Sequence, residues 1–315
     1  MPDTADPDRT DAPLVWLPFD VAEIGEVPEG LRFETVDPTE HLPDTVGEVA
    51  FYVPPYQRGT AVGDPLGQMT SLRVVQTLTA GVDDIRDAVP DGVTLCNGRG
   101  IHDASTAELA LTLTLASLRG LPDMVRRQDR GEWHQGSSLQ PSLADRRVLV
   151  VGHGSIGQAI EARLAPFAVE TTRVARTARD GVHSFDELPD LLPRAEVVIL
   201  VVPLTDETRG LVDAAFLAAL PDGALVVNVA RGAVVDTDAL LAELTSGRLR
   251  AALDVTDPEP LPEGHPLWDA PGLLVSPHVG GASTAMWPRV HALLRDQLRR
   301  FAAGEDLANV MTGSY

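Results

Sequence analysis

From residue 147 onward the chain alternates short runs of branched aliphatic residues with stretches of helical periodicity, a pattern that few folds accept. The runs are RVLVV (147–151), TTRVA (171–175), VVILVV (197–202), ALVVNV (224–229), RAALDV (250–255) and LLVS (273–276). Strands apolar on both sides need cover on both faces, as in a parallel sheet with helical crossovers. Between them Ile156, Ile160, Leu164 and Phe167 recur at helical spacing. Asp213 can cap AAFLAAL, and Asp236 and Thr237 can cap a helix ending at Gly247. Six such strands predict a doubly wound, dinucleotide-binding sheet.

The turn after the first of these runs, VLVVGHGSIGQAI, sharpens that expectation. Gly152, Gly154 and Gly157 stand in a G-x-G-x-x-G pattern, with Ser155 and Ile156 opening the helix. The first glycine suits a tight turn, the second a close approach of backbone to pyrophosphate, and the third close packing of helix on strand. At the end of the second run an acid would normally accept from the adenosine ribose 2′-OH. Ala175 stands there instead, followed by Arg176, Thr177 and Arg179. Two guanidiniums and no carboxylate favour a 2′-phosphate, so NADP is the expected cofactor ahead of NAD.

The first hundred residues carry a second series: LVWL (14–17), LRFETV (31–36), VAFYV (49–53), LRVVQ (72–76) and VTLC (93–96). They predict another parallel α/β domain, of flavodoxin-like size. A long helix opens at Asp103, with Ser105 and Glu108 at capping-box spacing. Its body, ELALTLTLASL, has no fully polar face, which predicts burial between domains or against a second copy of the chain. After residue 284, Val290, Leu293, Leu294, Leu298 and Phe301 repeat at helical spacing and suggest a return to the first domain. The expected organisation is therefore α/β throughout: a Rossmann-type domain over 102–283 inserted into a flavodoxin-like substrate domain of 1–101 and 284–315.

Composition removes several function classes. A formal net charge of −21 disfavours nucleic acid and anionic lipid as partners. No apolar run approaches membrane-spanning length. The acidic, Pro-rich opening MPDTADPDRTDAP has no apolar core of a secretory or transit signal and is read as a disordered tail. A single cysteine, Cys96, excludes an internal disulfide or a multi-cysteine metal site and fits a reducing cytoplasm. There is no lysine, hence no phosphate-loop lysine and no lysine Schiff base.

Three strings in the last third hold the candidate chemistry: NVARG with Arg231, DPEP with Glu259 and SPHVGG with His278, each past a strand end. The planar fork of an arginine suits a carboxylate. Histidine titrates near neutrality and can exchange a proton with a carbonyl oxygen, while a glutamate beside it can keep the imidazole charged. Together they suit hydride transfer between a nicotinamide and a small 2-oxo or 2-hydroxy acid lying in a cleft between the domains. FYVPPY, with Tyr52 and Tyr56, and the pair Met286 and Trp287 are candidates for the substrate side-chain pocket.

The whole pattern, over nearly the full chain, resembles the D-isomer-specific 2-hydroxyacid dehydrogenases. The resemblance rests on TLTAGVDDI (77–85), STAELAL from 105, GHGSIG from 152, VVPLTDETRGLV from 201, NVARGAVVD from 228, LDVTDPEPLP from 253 and SPHVGGAS from 276. It implies Arg231 as the substrate-orienting residue, Glu259 as partner of the histidine and His278 as acid/base. It further implies that backbone N–H groups at Gly81 and Val82 hold the substrate carboxylate and that Asp254 holds the nicotinamide carboxamide. Thr106, Val202, Pro203 and Ala230 would lie along the cofactor, and a homodimer is implied. The sequence departs from the family at Ala175, and in GRLRAALDV, one residue shorter than usual before Asp254. Glutamate rather than glutamine at 259 points away from the formate-oxidising branch. The competing expectation is a non-catalytic, NAD(P)-sensing corepressor.

Overall fold

The computed structural model describes residues 12–133 and 139–312, so residues 1–11 of the expected tail MPDTADPDRTDAP lie outside the described residues, while its last two, Ala12 and Pro13, accept hydrogen bonds from Arg32 through their carbonyls. The chain forms two compact units, one running to His102 and resuming at Thr284, the other spanning Asp103–Ser283.

The first unit is built on a parallel sheet of β1 (Leu14–Leu17), β2 (Arg32–Thr35), β3 (Val49–Tyr52), β4 (Val74–Gln76) and β5 (Thr94–Cys96) in the order β2-β1-β3-β4-β5. That is the flavodoxin-like order. Helical crossovers are nearly absent: the segments between strands condense into 3₁₀ turns such as Gly59–Gly63 and Leu66–Gln68. Cover for one face comes from the far end of the chain. There a helix at Met286–Ala303, numbered α7 below, buries Met286, Val290, Leu294 and Leu298 against Val15, Leu17, Phe51 and Val53. The opposite face packs Leu14, Trp16, Val49 and Tyr52 under the 3₁₀ turns.

The second unit opens with α1 (Asp103–Arg119) and α2 (Leu121–Asp129). It continues through β6 (Arg147–Val151), α3 (Ser155–Leu164), β7 (Glu170–Ala175), β8 (His183–Ser184), α4 (Leu188–Leu191) and β9 (Val197–Leu200). The rest is α5 (Ala214–Ala219), β10 (Leu225–Asn228), α6 (Thr237–Thr245), β11 (Arg250–Leu253) and β12 (Leu273–Val275). The sheet is parallel, ordered β12-β11-β10-β9-β6-β7-β8, with seven strands rather than six. The additional strand, β8, is two half-buried residues on the edge, too short for an apolar run to announce it. Alternation divides each central strand between two cores: Leu149, Val151, Val198 and Leu200 face one, and Val148, Val150, Val197 and Ile199 the other. Two-sided burial explains why these strands read as unbroken aliphatic runs.

One local expectation needs correction. Ser105 lies inside α1 and does not cap it; its hydroxyl instead meets the Ser283 hydroxyl at 2.7 Å. One side of α1 is buried within its own unit, where Ala107, Ala110, Leu111 and Leu118 pack with Val148, Val150, Ile160 and Leu164, while Leu109 and Leu115 are half-buried. Exposed apolar surface lies on α2, where Leu121, Met124 and Val125 are all exposed. The caps at Asp213 and Asp236 form as expected, accepting from the amides of Phe216 and Ala239 at 2.8 and 3.0 Å.

Candidate active site

Because β10, β11 and β12 are neighbours in a parallel sheet, the segments leaving their carboxyl ends emerge side by side. Arg231, Asp254 and His278 stand on those three segments, and hydrogen bonds across the sheet lock them together. Asn228, fully buried at the end of β10, accepts from the Ala230 amide at 3.0 Å and donates to the Arg231 carbonyl at 2.9 Å, closing the turn that carries Arg231. The Asp254 amide donates to the Asn228 carbonyl at 2.9 Å, and the His278 amide donates to the Asp254 carbonyl at 2.7 Å.

Asp254 does more than end a strand. Its buried carboxylate accepts from the Ser276 hydroxyl at 2.6 Å and from the amides of Val279 and Gly280 at 3.0 and 2.8 Å. Thr106 adds a bond from α1, its hydroxyl donating to the Gly280 carbonyl at 3.2 Å. This clamp explains how His278, a non-glycine residue, holds a left-handed backbone with φ of 51°. Such a conformation persists only where the surroundings over-determine it.

His278 Nδ1 and Glu259 Oε1 lie 2.5 Å apart, a charge-assisted contact on the carboxyl edge. The hydrogen bond that His278 donates to Glu259 raises the His278 pKa above its ordinary value, overcoming the opposing effects of burial and of the Arg231 charge. Burial pushes the Glu259 carboxyl up, but the hydrogen bond and charge of His278, aided by the Thr256 amide and Arg231, hold it below its ordinary value. The two shifts agree: the pair favours imidazolium and carboxylate. Arg231 acts on both members through its charge and so belongs to the same cluster.

Gly232 brings the arginine and glutamate segments into contact. A Cβ there would sit 1.9 Å from the Thr256 carbonyl oxygen and 2.7 Å from the Asp257 nitrogen, so only glycine lets the two backbones touch. Thr237 tightens the same seam, its hydroxyl donating to the Asp257 carbonyl at 2.7 Å. Asn228, Gly232 and Ser276 are the residues that sequence reasoning missed. An asparagine ending a strand and a glycine directly after a functional arginine were the available signals.

The residues for a dinucleotide also fit their ligand. Gly152 has φ of 105°, and a Cβ there would strike the Val201 carbonyl oxygen at 2.6 Å; at Gly157 it would strike the Gly152 carbonyl oxygen at 2.1 Å. At Gly154, preceding α3, a Cβ would meet nothing within 4 Å, leaving the helix N-terminus open to a phosphate. The Ser155 hydroxyl is hydrogen-bonded to Asp103, and Ile156 is half-buried at the helix start. Val202 and Ala230 are buried at strand ends, and Pro203 is exposed beside them. Arg176, Thr177 and Arg179 are exposed after β7; Arg179 donates to the His153 carbonyl of the glycine loop at 2.6 Å.

In the first unit, Gly81 is half-buried and the Val82 side chain lies in the core. The substrate-lining suggestions are revised. Tyr52 is fully buried, with its hydroxyl donating to the Val62 carbonyl at 3.2 Å, and Met286 is core. Tyr56 packs on His102 with ring centroids 5.5 Å apart, while Trp287 is exposed with its ring edge-on to Phe19. Burial pushes the Cys96 thiol up to about 11, so it is no nucleophile at neutral pH.

Residues 111–280 match the family model of the D-isomer specific 2-hydroxyacid dehydrogenase NAD-binding domain. The chain belongs to the D-isomer-specific 2-hydroxyacid dehydrogenase family. It is an oxidoreductase that uses a nicotinamide cofactor on a 2-oxo acid/2-hydroxy acid pair. A mouse glyoxylate reductase/hydroxypyruvate reductase is 35% identical over 225 residues, 68% of this chain and 69% of that protein. A D-isomer specific 2-hydroxyacid dehydrogenase from Xanthobacter autotrophicus Py2, solved with NADPH and MES, superposes with a TM-score of 0.78 at 32% identity, covering 96% of this dehydrogenase and 98% of that chain. The NADPH-dependent glyoxylate/hydroxypyruvate reductase of Sinorhizobium meliloti, solved with NADP and malonate, gives a TM-score of 0.78 at 27% identity over 96% and 97%. These relatives do not favour the corepressor expectation. Among the described residues of the dehydrogenase, no helix is long and apolar enough to cross a membrane.

Proposed function

We propose that this dehydrogenase reduces a small 2-oxo acid such as glyoxylate or hydroxypyruvate to the D-2-hydroxy acid, with NADPH preferred over NADH. The His278–Glu259 contact at 2.5 Å beside Arg231 carries the reading. The nicotinamide supplies the hydride when bound; the rest of the work falls to the chain. Arg231 pairs with the substrate carboxylate and, with the Gly81 and Val82 amides, fixes which carbonyl face is presented. Glu259 occupies His278 Nδ1, so Nε2 is the nitrogen that gives its proton to the carbonyl oxygen as charge develops there. In the opposite direction the same nitrogen takes the proton from the hydroxyl. Asp254 orients the histidine segment and keeps lone-pair capacity for a carboxamide, since a carboxylate offers about four acceptor sites.

The NADPH preference is supported by Ala175 at the end of β7 and by the two guanidiniums after it, one of them anchored to the glycine loop. Loss of reduced-cofactor absorbance with glyoxylate or hydroxypyruvate is the expected result, faster with NADPH. Arg176→Ala is expected to reduce the NADPH-to-NADH ratio of kcat/KM by about tenfold, the scale of one charge-assisted phosphate contact. No turnover with any 2-oxo acid refutes the activity; an unchanged ratio refutes the cofactor preference.

A second copy of the chain is the partner we assign to the exposed apolar side of α2. Sedimentation should give a dimer, and Met124→Glu a monomer; a monomeric wild type refutes the assignment. The lone, buried, unreactive Cys96 supports a reducing cytoplasmic setting.

A further inference from the structure

Five successive carbonyls, from Thr77 to Gly81, each accept a hydrogen bond from within the first unit. Gln76 Nε2 donates to the Thr77 carbonyl at 2.9 Å and His102 Nε2 to that of Leu78 at 2.8 Å. The Thr77 hydroxyl and the Gly98 amide donate to the Thr79 carbonyl at 2.9 and 2.7 Å. Asn97 Nδ2 donates to Ala80 at 2.9 Å, and the Thr79 hydroxyl to Gly81 at 2.6 Å. The carbonyl oxygens of the loop are thereby engaged inside the first unit rather than left to repel an approaching anion. Gly98 lies directly against it, since a Cβ there would come within 2.8 Å of the Leu78 carbonyl.

Behind the loop stands a fully buried pair of carboxamides. Gln297, on α7, donates to Gln76 Oε1 at 2.6 Å and to the Ala308 carbonyl at 2.9 Å, and accepts from the Ala308 amide at 2.8 Å. Gln76 spends its second N–H on the Asn97 carbonyl at 3.0 Å. Each carboxamide therefore uses both donors and its acceptor oxygen. A buried polar network satisfied in this way is rigid, and one missing member disturbs the rest.

We propose that Gln297, Gln76 and Asn97 form a positioning relay that sets the substrate-carboxylate loop from the C-terminal helix. The inference rests on the reading of Gly81 and Val82 as the carboxylate site. Gln297 acts through Gln76, and Gln76 through Thr77 and Asn97, whose carboxamide holds Ala80. Substrate affinity is then governed in part from a side chain buried in α7.

Gln297→Met keeps the shape of the side chain and removes its donors; Asn97→Ala cuts the last link. For both, KM for the 2-oxo acid is expected to rise about tenfold or more, with kcat and NADPH affinity within about threefold of wild type. Oxalate, a small dicarboxylate followed by calorimetry, should weaken in parallel without any turnover being needed. A role confined to stability would lower Tm and leave KM and oxalate affinity alone, and that outcome in a folded Gln297→Met protein overturns the relay. Should that variant fail to fold, Asn97→Ser is read by the same criteria. Wild-type protein lacking turnover would count against the proposed activity; turnover with a KM indifferent to Gln297 and Asn97 counts against the relay alone.

Discussion

His278→Ala should lower kcat for 2-oxo acid reduction by about 10²–10⁴-fold, the usual contribution of a positioned general acid, while NADPH still binds. Retention of near-wild-type turnover would remove His278 from the proton transfer. The pH dependence tests the partner separately. Reduction needs the imidazolium, so kcat/KM holds below the His278 pKa and falls as pH rises through it. Because Glu259 raises that pKa, the alkaline limb in the wild type should lie above the ordinary histidine value of about 6.5. Glu259→Gln removes the negative charge and weakens the hydrogen bond that together raise the pKa, and its limb should move to lower pH. An unmoved limb would show that the 2.5 Å contact does not set the charge state of the imidazole.

The second large effect is expected at a position with no functional group. In Gly232→Ala the new methyl would fall 1.9 Å from the Thr256 carbonyl oxygen and 2.1 Å from its carbon. Both neighbours are backbone, so no rotamer change relieves the overlap; the Arg231 turn and the segment leading to Glu259 must separate. A misplacement of about 1 Å costs about 10²-fold in rate, and kcat/KM should fall by that order. Gly67→Ala is the control: nothing lies within 4 Å of a Cβ there, and the change should be silent. If Gly232→Ala were equally silent, contact between the two segments would be irrelevant to catalysis.

The Rossmann-type unit was legible in advance because its strands are buried on two faces and so leave unbroken aliphatic runs. The same physics hid β8, whose two edge residues bury little. Period and spacing revealed α1 but not the fate of its side chains: Ser105 has the spacing of a cap and sits inside the helix, bonded to Ser283. Tyr52 and Met286 show a related limit, since a bulky residue after a strand or before a helix reads alike whether it lines a pocket or fills a core. Within the site, the groups of distinctive chemistry stood out by type. Gly232 and Ser276 stood out less, because their work is to leave room for a distant backbone and to donate across the sheet; Asn228, whose side chain bonds Ala230 and Arg231, left only the faint local signal of an asparagine ending a strand.

The buried carboxylate of Asp254 has a consequence for how this chain can vary. It fastens residues 276–280 from the neighbouring strand, so the aim of His278 is inherited sideways rather than along the chain. The surface of the stretch between Pro260 and Gly272 therefore does not carry the aim of the histidine. Exposed positions of that stretch, such as Glu263 and Trp268, can be redecorated without re-aiming the proton donor, which makes them a natural place for this scaffold to acquire new surface, while Leu267 stays fixed in the core.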